Sequence, residues 1–246
     1  MSTIAPEQVA QYLVRWLRER ADEAGATGAV VAVSGGVDSA AVAGLCVRAF
    51  PQAALGVLLP CHSDPRDLAD AERICGVLGL PHTTVVLDGA YDALVAALRT
   101  SPHYADYHVA LANLKPRLRM TTLYYFANRM NRLVVGTGNR SEAYVGYFTK
   151  YGDGGVDVLP LASLVKSEVR VLAAHLGVPA DIVERTPTAG LWPGQTDEGE
   201  MGLTYAVLDA YLLTGHAPAD ARARIEQLHE KSAHKRRTPP IPDIPR

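Results

Sequence analysis

The strongest constraint on the fold of this chain is an apolar run that ends in a glycine-rich turn and continues as a helix. Residues 29–33 are apolar and mostly β-branched, which is typical of a parallel strand covered on both faces. Ser34, Gly35 and Gly36 then make a tight turn before a helical pattern over 38–47. A helix start offers unpaired N–H groups and the positive end of the helix dipole, so the turn predicts a binding site for a multiply charged anion such as phosphate.

Apolar runs and helical patterns alternate through the first half of the chain. A helix is predicted over 6–24, strands over 29–33, 54–59, 83–87 and 133–135, and helices over 38–47, 65–78 and 116–130. This alternation predicts an α/β fold with right-handed crossovers, in which helices flank both faces of a doubly wound parallel sheet. Because ligands of such sheets bind beyond the carboxyl ends of the strands, the turn at Ser34 and the segment from Gly136 are the expected site.

The second half of the chain has a different pattern. Helices are predicted over 164–176, 204–213 and 219–234, irregular segments over 148–159 and 186–200, and a proline-rich tail from about 238. No internal repeat or linker divides the chain, so we expect a single domain over residues 1–246. The glycine-rich and proline-rich segments 144–157 and 186–200 are expected to order over bound nucleotides and to exclude water.

Composition narrows the function classes. With 246 residues, 48% of them hydrophobic, the chain can bury a large core. A net charge of −2 gives no electrostatic basis for binding nucleic acid. No apolar stretch is long enough to span a bilayer and the N-terminus does not resemble a signal peptide, so no membrane partner and a cytoplasmic location are expected. Cys46, Cys61 and Cys75 lack metal-type spacing and are expected to be reduced thiols.

The glycine-rich turn has a recognisable type. It lacks the Lys-Ser/Thr pair of a Walker loop and the third glycine of the dinucleotide fingerprint. Ser-Gly-Gly-Val-Asp-Ser after a strand instead resembles the loop of the ATP pyrophosphatases, which split ATP into AMP and pyrophosphate. The resemblance implies that the loop holds the departing pyrophosphate and that Asp38 binds Mg²⁺.

Later blocks narrow the resemblance to the NAD synthetase branch of that family. They are Gly-Thr-Gly-Asn-Arg-Ser-Glu from Gly136, the run from Gly146 through Phe-Thr-Lys-Tyr-Gly-Asp-Gly-Gly-Val-Asp, Leu-Val-Lys from Leu164, Pro-Thr-Ala-Gly-Leu-Trp from Pro187, Gly-Gln-Thr-Asp-Glu from Gly194, and His-Lys-Arg from His234. The resemblance implies a ligase that uses deamido-NAD, ATP and ammonia. The nicotinate carboxylate attacks the α-phosphorus of ATP, pyrophosphate leaves, and ammonia converts the acyl adenylate to NAD and AMP.

The resemblance also assigns roles to individual residues. It places ATP against Ala32, Val33, Ser34, Gly35, Gly36, Val37, Asp38, Ser39, Thr137, Lys166 and Thr188. It assigns Mg²⁺ to Asp38 and Glu142, and deamido-NAD to Arg117, Lys150, Asp157, His234 and Lys235. Asp38, Lys166 and Asp153 are the expected catalytic residues, Asp153 as a candidate for holding ammonium or taking its proton. Hard carboxylate oxygens suit Mg²⁺, and cations suit pyrophosphate and carboxylate groups.

Some positions depart from the family pattern or leave alternatives open. Proline suits the first helical position, so the helix carrying Arg117 is expected to begin at Pro116. His62 is expected to line a pocket or lie on the surface rather than to act as a base. Relatives that use glutamine carry an additional amidase domain with a cysteine nucleophile. This chain is short and has Ser2 after the first Met, so free ammonia is the expected donor, although a separate glutaminase subunit stays possible.

Two rival functions and a quaternary structure complete the predictions. Another ATP pyrophosphatase, such as a tRNA-modifying thiolase or an amidotransferase synthetase subunit, would share the loop, but no catalytic cysteine pattern or basic RNA face is visible. A non-catalytic ATP sensor would not need Asp38, Glu142 and Lys166 together. The resemblance implies a homodimer with the dinucleotide at the subunit interface. The helix over 116–130 offers a dimer face, or equally a core face, through Leu118, Leu123, Tyr125, Phe126 and Met130.

Overall fold

A central parallel sheet organises the protein. The structure is a computed structural model that describes residues 5–192 and 194–244. Ser2, Pro193 and the last two residues of the predicted tail lie outside the described residues. The strands are β1 (Ala29–Ala32), β2 (Ala54–Leu58), β3 (His82–Thr84) and β4 (Leu133–Val134), in the order β3-β2-β1-β4. All pairs are parallel, and the order reverses between β1 and β4, as in a doubly wound sheet.

Helices connect and cover the strands. They are α1 (Pro6–Glu23), α2 (Val37–Ala49), α3 (Pro65–Leu78), α4 (Asp88–Arg99), α5 (His108–Ala112), α6 (Leu114–Met130), α7 (Arg140–Val145), α8 (Lys166–His175), α9 (Ala180–Val183), α10 (Asp197–Met201), α11 (Tyr205–Thr214) and α12 (Ala219–Lys231), followed by a 3-10 turn at Ala233–Lys235. In the described part of the chain, no helix is both long and apolar enough to cross a membrane.

Both faces of the sheet are covered at the strands β1 and β2, which explains why these two strands are apolar, whereas the edge strand β3 is polar. Side chains alternate across a strand, so consecutive residues of β1 point to opposite faces. Val31 joins a cluster with Leu45 of α2 and Leu172 of α8, whereas Val30 joins a second cluster with Leu123 of α6. Val30 and Val31 are each fully buried. The predicted α/β fold with helices on both faces is therefore confirmed.

A third apolar cluster joins the helices that follow the sheet. Val145 of α7, Met201 of α10, Leu208 of α11 and Ile225 of α12 form it. The described residues form no further strand of the sheet in this part of the chain, and these helices pack on one another through their apolar side chains. Several of these contacts converge on the carboxyl ends of β1 and β4.

Several element boundaries differ from the predictions. The predicted strand over 83–87 is shorter, because only His82–Thr84 pairs as β3. Helix α4 was not predicted, and Val95 is its one buried residue. Helix α10 lies inside the segment predicted to be irregular, and Val158 of the other irregular segment bridges in parallel to Val135.

Helix α6 begins two residues earlier than predicted. It starts at Leu114, so Pro116 is its third residue rather than its first. The first four N–H groups of a helix have no intrahelical acceptor, so a proline at this position removes no hydrogen bond. The starting point of α6 places Lys115 and Pro116 in buried positions and leaves Arg117 exposed.

Candidate active site

A cavity of about 450 Å³ opens where the chain order reverses between β1 and β4. Every residue predicted to bind ATP except Gly35 lines it, namely Ala32, Val33, Ser34, Gly36, Val37, Asp38, Ser39, Thr137, Lys166 and Thr188. Glu142, Asp153 and Lys235 also line the cavity. Apolar side chains, including Leu59 after β2 and Leu68 of α3, provide a surface on which a flat base can pack.

The turn after β1 is built by two serines. The backbone N–H of Ser34 donates to Ser39 Oγ at 3.1 Å, and Ser39 Oγ donates to the Gly36 carbonyl at 2.9 Å. These bonds close a loop around the first turn of α2. Gly35 adopts φ +87°, and a Cβ there would stand 2.6 Å from the Asp67 carbonyl oxygen. Glycine is therefore required at this position by both conformation and space.

One lysine contacts two carboxyl groups at the centre of the site. Lys166 Nζ bonds Asp38 Oδ2 and lies 3.4 Å from Glu142 Oε1. The Lys166 side chain is 4% exposed. Burial opposes its charge, but Asp38 and Glu142 outweigh burial and raise the pKa of Lys166, so the ammonium is charged. Burial, followed by the charge of Asp38, raises the pKa of Glu142 to about 8.

The carboxylates are positioned by the start of α7. Asn139 caps this helix, because its Oδ1 accepts from the Glu142 N–H at 2.9 Å and its own N–H donates to Glu142 Oε2 at 3.1 Å. Asn139 Nδ2 also donates to Asp38 Oδ1 at 2.9 Å. One capping residue therefore fixes Glu142 locally and connects it to Asp38 of α2.

Helix α8, which begins with Lys166, is held by an aspartate of α11. Asp209 Oδ2 accepts from the Ser167 N–H at 2.8 Å, and Asp209 Oδ1 accepts from Ser141 Oγ at 2.6 Å. The Lys166 N–H also points to Asp209 Oδ1 at 3.4 Å. A buried carboxylate at a helix N-terminus interacts favourably with the helix dipole. Asp209 thus joins α7 to the start of α8.

A tyrosine of α11 extends the carboxylate group. Tyr205 Oη lies 3.3 Å from Glu142 Oε1 and 2.9 Å from Asp197 Oδ2. Lys166 Nζ lies 4.9 Å from the centre of the Tyr205 ring. Burial, followed by Glu142, raises the pKa of Tyr205 well above its ordinary range, so its hydroxyl is a hydrogen-bond donor.

The glycine-rich segment after α7 is tied to the C-terminal part of the chain. Lys235 Nζ donates to the carbonyls of Gly146 and Phe148, each at 2.7 Å. Asp153 Oδ1 accepts from the Thr149 N–H at 2.9 Å, which closes the turn of this segment. Burial raises the pKa of Asp153.

The other residues predicted for deamido-NAD lie apart from the cavity. Arg117 Nη2 donates to the Lys150 carbonyl at 3.3 Å, and Lys150 Nζ donates to the His234 carbonyl at 2.9 Å. Arg117 and Lys150 thus bring two cationic side chains together beside His234, and these three residues are called the cationic group below. Asp157 is engaged within the chain, since it accepts from the Val134 N–H at 2.7 Å and from Tyr124 Oη at 2.9 Å.

His62 lies at the surface. Its Nε2 is 2.8 Å from Asp92 Oδ1, and its N–H donates to Asp88 Oδ1 at 2.7 Å. It is absent from the described residues that line the cavity, so of the two predicted positions the surface is observed.

Sequence reasoning assigned no role to several residues of the site. They are Asn139, Ser141, Asp197, Tyr205 and Asp209. For Asn139 the sequence does hold a signal, because Asn139 and Glu142 have the Asn-x-x-Glu spacing of a capping box. The contacts of Asp209 with Ser141 and Ser167 join residues 68 and 42 positions apart, so no local pattern marks them.

Comparisons with known proteins agree with this geometry. A family model described as NAD synthase matches residues 9–239. The NH3-dependent NAD+ synthetase of Carboxydothermus hydrogenoformans is 52% identical over 236 residues, covering 96% of this chain and 97% of that protein.

Two solved structures have the same fold over nearly the whole chain. The NMN synthetase of Francisella tularensis superposes with a TM-score of 0.93 and 39% identity, covering 98% of this chain and 100% of that one. The NH3-dependent NAD synthetase of Campylobacter jejuni, in complex with nitrate, superposes with a TM-score of 0.79 and 29% identity over the same shares. With a family model spanning most of its length and a relative above 50% identity, this chain belongs to the NAD synthase family.

Proposed function

We propose that the protein is an ammonia-dependent NAD synthetase, a ligase that amidates the nicotinate carboxylate of deamido-NAD and converts ATP to AMP and pyrophosphate. The observation that carries this proposal is the meeting of the Ser34–Ser39 turn with Asp38, Glu142 and Lys166 in one cavity. The NH3-dependent relative, matched over 97% of its length, supports the reaction class.

The first step joins the acid to AMP. The turn holds the β- and γ-phosphates with backbone N–H groups and the hydroxyls of Ser34 and Ser39, at the positive end of α2. Lys166 exchanges its carboxylate partners for phosphate oxygens. Its charge then stabilises the pyrophosphate as the substrate carboxylate oxygen attacks the α-phosphorus. Thr137 and Thr188 supply further hydroxyl groups to ATP.

Asp38 and Glu142 are suited to hold Mg²⁺. Both carboxylates reach Lys166 Nζ, so a cation between them is already required for charge balance. Mg²⁺ commonly takes one or two carboxylates together with substrate phosphates, which matches this donor set. When bound, Mg²⁺ neutralises the charge that develops on the phosphate oxygens.

The acid substrate occupies the side of the site near Arg117, Lys150, His234 and Lys235. The cationic group attracts its phosphates. Asp157 accepts a hydrogen bond from Val134 and so stabilises the end of β4. We propose that a second copy of the chain completes this side of the site in a homodimer. Leu123 of α6 is buried in the core, whereas Tyr125 is 62% exposed, so Tyr125 and its neighbours are the candidate contact. Sedimentation at micromolar concentration tests the dimer.

The second step needs an acceptor for ammonium. Asp153, which lines the cavity, is the residue that the sequence predicts to hold ammonium or to take its proton. Free ammonia is the proposed donor. We further propose that residues 1–246 act as one domain, with segments 144–157 and 186–200 closing over the nucleotides. A cytoplasmic location is proposed because Cys46, Cys61 and Cys75 are all unpaired.

A second candidate substrate is the acid form of NMN. The Francisella NMN synthetase superposes more closely than the Campylobacter NAD synthetase, with a TM-score of 0.93 against 0.79 and an identity of 39% against 29%. Amidation of a mononucleotide uses the same adenylation chemistry. A mononucleotide has one phosphate instead of the two of a dinucleotide, so it needs fewer contacts with the cationic group.

One assay separates these possibilities. Pyrophosphate release is measured with ATP, Mg²⁺ and ammonium, together with either deamido-NAD or nicotinate mononucleotide. A higher kcat/KM for deamido-NAD supports the NAD synthetase, and the reverse order supports the NMN synthetase. Absence of release with either acid contradicts both and leaves the ATP sensor.

A further inference from the structure

A third carboxylate of the cavity has a buried oxygen that the chain leaves unpartnered. Asp197, the first residue of α10, is 4% exposed and lines the cavity. Its Oδ2 bonds Tyr205 Oη, whereas its Oδ1 finds no hydrogen-bond partner within residues 5–192 and 194–244. A buried carboxylate oxygen without a donor is costly, so a feature of this kind indicates a ligand group.

Charge in this region favours a cation. Three carboxylates, Asp38, Glu142 and Asp197, lie around one ammonium group, that of Lys166. Lys166 bonds the first two and has no ion pair with Asp197 in the described structure. Asp197 therefore adds a negative charge that the neighbouring lysine does not directly pair. Burial raises the pKa of Asp197, whereas the charge of Lys166 and the hydroxyls of Tyr205 and Tyr147 act in the opposite direction.

The surroundings suit a small cation that donates hydrogen bonds. No three His, Cys, Asp or Glu side chains of the described residues are grouped as they would be to hold a metal ion. Two tyrosines flank Asp197: Tyr205 bonds its Oδ2, and Tyr147 lines the cavity with its hydroxyl 2.6 Å from Glu200 Oε2. A buried carboxylate oxygen that accepts no hydrogen bond suits a cation that carries N–H donors, such as ammonium.

Asp153, the residue predicted from the sequence, is already engaged. Its Oδ1 accepts from the Thr149 N–H, and Lys235 is the cation whose charge acts on it. Thr149 in turn donates its hydroxyl to Asn113 Oδ1 at 2.7 Å. Asp153 therefore shapes the turn of the glycine-rich segment, whereas Asp197 Oδ1 accepts no hydrogen bond within the described residues, and the Tyr147 hydroxyl beside this carboxylate donates to Glu200 instead.

We propose that Asp197 is the primary acceptor for the ammonium substrate, an inference that rests on the proposed amidation. An ammonium N–H donates to Asp197 Oδ1 and its proton passes to that carboxylate, which leaves neutral ammonia. The nitrogen lone pair then forms the C–N bond at the acyl carbon, and the bond from that carbon to the AMP oxygen breaks. AMP leaves with the bonding electron pair, and the nitrogen loses a second proton to solvent.

Two nucleophiles test this assignment with Asp197→Asn. Ammonium must lose a proton before it attacks, whereas hydroxylamine is mainly uncharged at neutral pH and needs no acceptor. At saturating ATP and acid substrate, we expect kcat/KM for ammonium to fall by about tenfold or more. Formation of the hydroxamate from hydroxylamine, and the burst of pyrophosphate without any nucleophile, should stay near the parental values.

Each other outcome overturns the assignment. Loss of both products together with the burst places Asp197 in adenylation, and parental rates with both nucleophiles make it dispensable. If Asp153→Asn, and not Asp197→Asn, loses activity with ammonium while it keeps activity with hydroxylamine, the role belongs to Asp153.

Two further variants complete the design. Asp197→Glu retains the charge but moves it, so kcat/KM for ammonium should fall by about threefold or more even if the Asn variant does not fold. Parental kinetics in the Glu variant contradict the proposal. Glu184→Gln, an exposed position outside the cavity, is the matched control. A parental protein that releases no pyrophosphate with either acid refutes the proposed function itself, whatever these variants do.

Discussion

At the scale of single residues, the central feature of the site is Lys166, whose ammonium group lies between Asp38 and Glu142. In the free protein it is the counter-ion of Asp38 and Glu142, and both partners are largely buried. In the proposed reaction, ATP with its metal would change these partners, because the metal would bring positive charge to the carboxylates and the triphosphate negative charge to the lysine. Lys166 therefore balances part of the negative charge of the site in the free protein.

Replacement of Lys166 by methionine tests this role. The variant keeps the length of the side chain but removes its charge, so pyrophosphate formation should slow by about a hundredfold or more. It should also unfold at lower temperature, because two buried carboxylates lose their partner, a change that costs about 3–5 kcal/mol when a buried pair is broken. Rapid-quench kinetics and thermal unfolding measure the two effects. Lys231→Met, at an exposed position of α12, is the control and should change neither.

Gly35 gives a second test at this scale. Alanine at φ +87° is strained, and its Cβ would meet the Asp67 carbonyl oxygen. We expect Gly35→Ala to destabilise the fold by about 1 kcal/mol or more and to weaken ATP binding. Gly76→Ala is a matched control, since nothing lies within 4 Å of a Cβ there. Denaturant unfolding and nucleotide titration measure both, and parental ATP affinity in Gly35→Ala would contradict the role of the turn.

The sequence predicted the charged centre of the site but not its supports. Asp38, Glu142 and Lys166 were assigned from the resemblance to the NAD synthetase branch, because each lies in one of the motif blocks that carry it. Asn139 and Asp209 act on partners distant along the chain: Asn139 and Asp38 are 101 residues apart. Such contacts depend on how helices pack, which one sequence without relatives does not reveal. Whether the predicted site residues bind as assigned stays a prediction.

At the scale of elements, α8 depends on α11 for its position. Asp209 accepts bonds from the first N–H groups of α8 and from Ser141 of α7. It does not line the cavity. It therefore acts through Lys166 and Glu142, which stand beside the residues that it bonds.

Asp209→Asn should change both stability and rate. The amide keeps one acceptor but offers an N–H where Ser167 also has one, so we expect a loss of about 1–3 kcal/mol in the free energy of unfolding. Adenylation should slow even well below the unfolding temperature, because Lys166 shifts. Leu208→Ala, a fully buried neighbour in α11, supplies a variant of comparable or greater instability. Equal rates in these two variants would reduce Asp209 to a purely structural role.

The elements themselves were predictable to the extent that their periodicity is strong. Helix α3 has the predicted bounds of 65–78, because Asp64 caps it, a proline opens it and Gly79 ends it. Helix α4 escaped prediction, since most of its surface faces solvent. The predicted start of α6 was wrong, because proline is tolerated at any of the first helical positions, whose N–H groups have no partner within the helix.

At the scale of the whole molecule, two continuous cores on either side of one sheet enclose all three thiols. Cys46 and Cys75 pack in one core and Cys61 in the other, each fully buried. Burial raises the pKa of Cys46 to about 12 and that of Cys75 to about 11.

The native protein should therefore resist alkylation. The thiolate is the reactive form, and a raised pKa keeps the thiols neutral at pH 8. Above pH 9, the ordinary pKa of these thiols, the unfolded chain loses protons that the native state keeps, so the free energy of unfolding should fall as pH rises. Mass spectrometry after iodoacetamide treatment tests the first point. Rapid labelling of native protein would contradict it, and Cys46→Ala should show a shallower fall between pH 8 and 10.

The order of the strands has a consequence for synthesis on the ribosome. The glycine-rich turn lies within the first 40 residues, but the central strand beside it, β1, gains its second neighbour only at β4, about 100 residues later. Glu142, Lys166 and Asp209 emerge later still. A nascent chain therefore carries Asp38 without its charge partner Lys166 while a further 128 residues, about half of the polypeptide, are made.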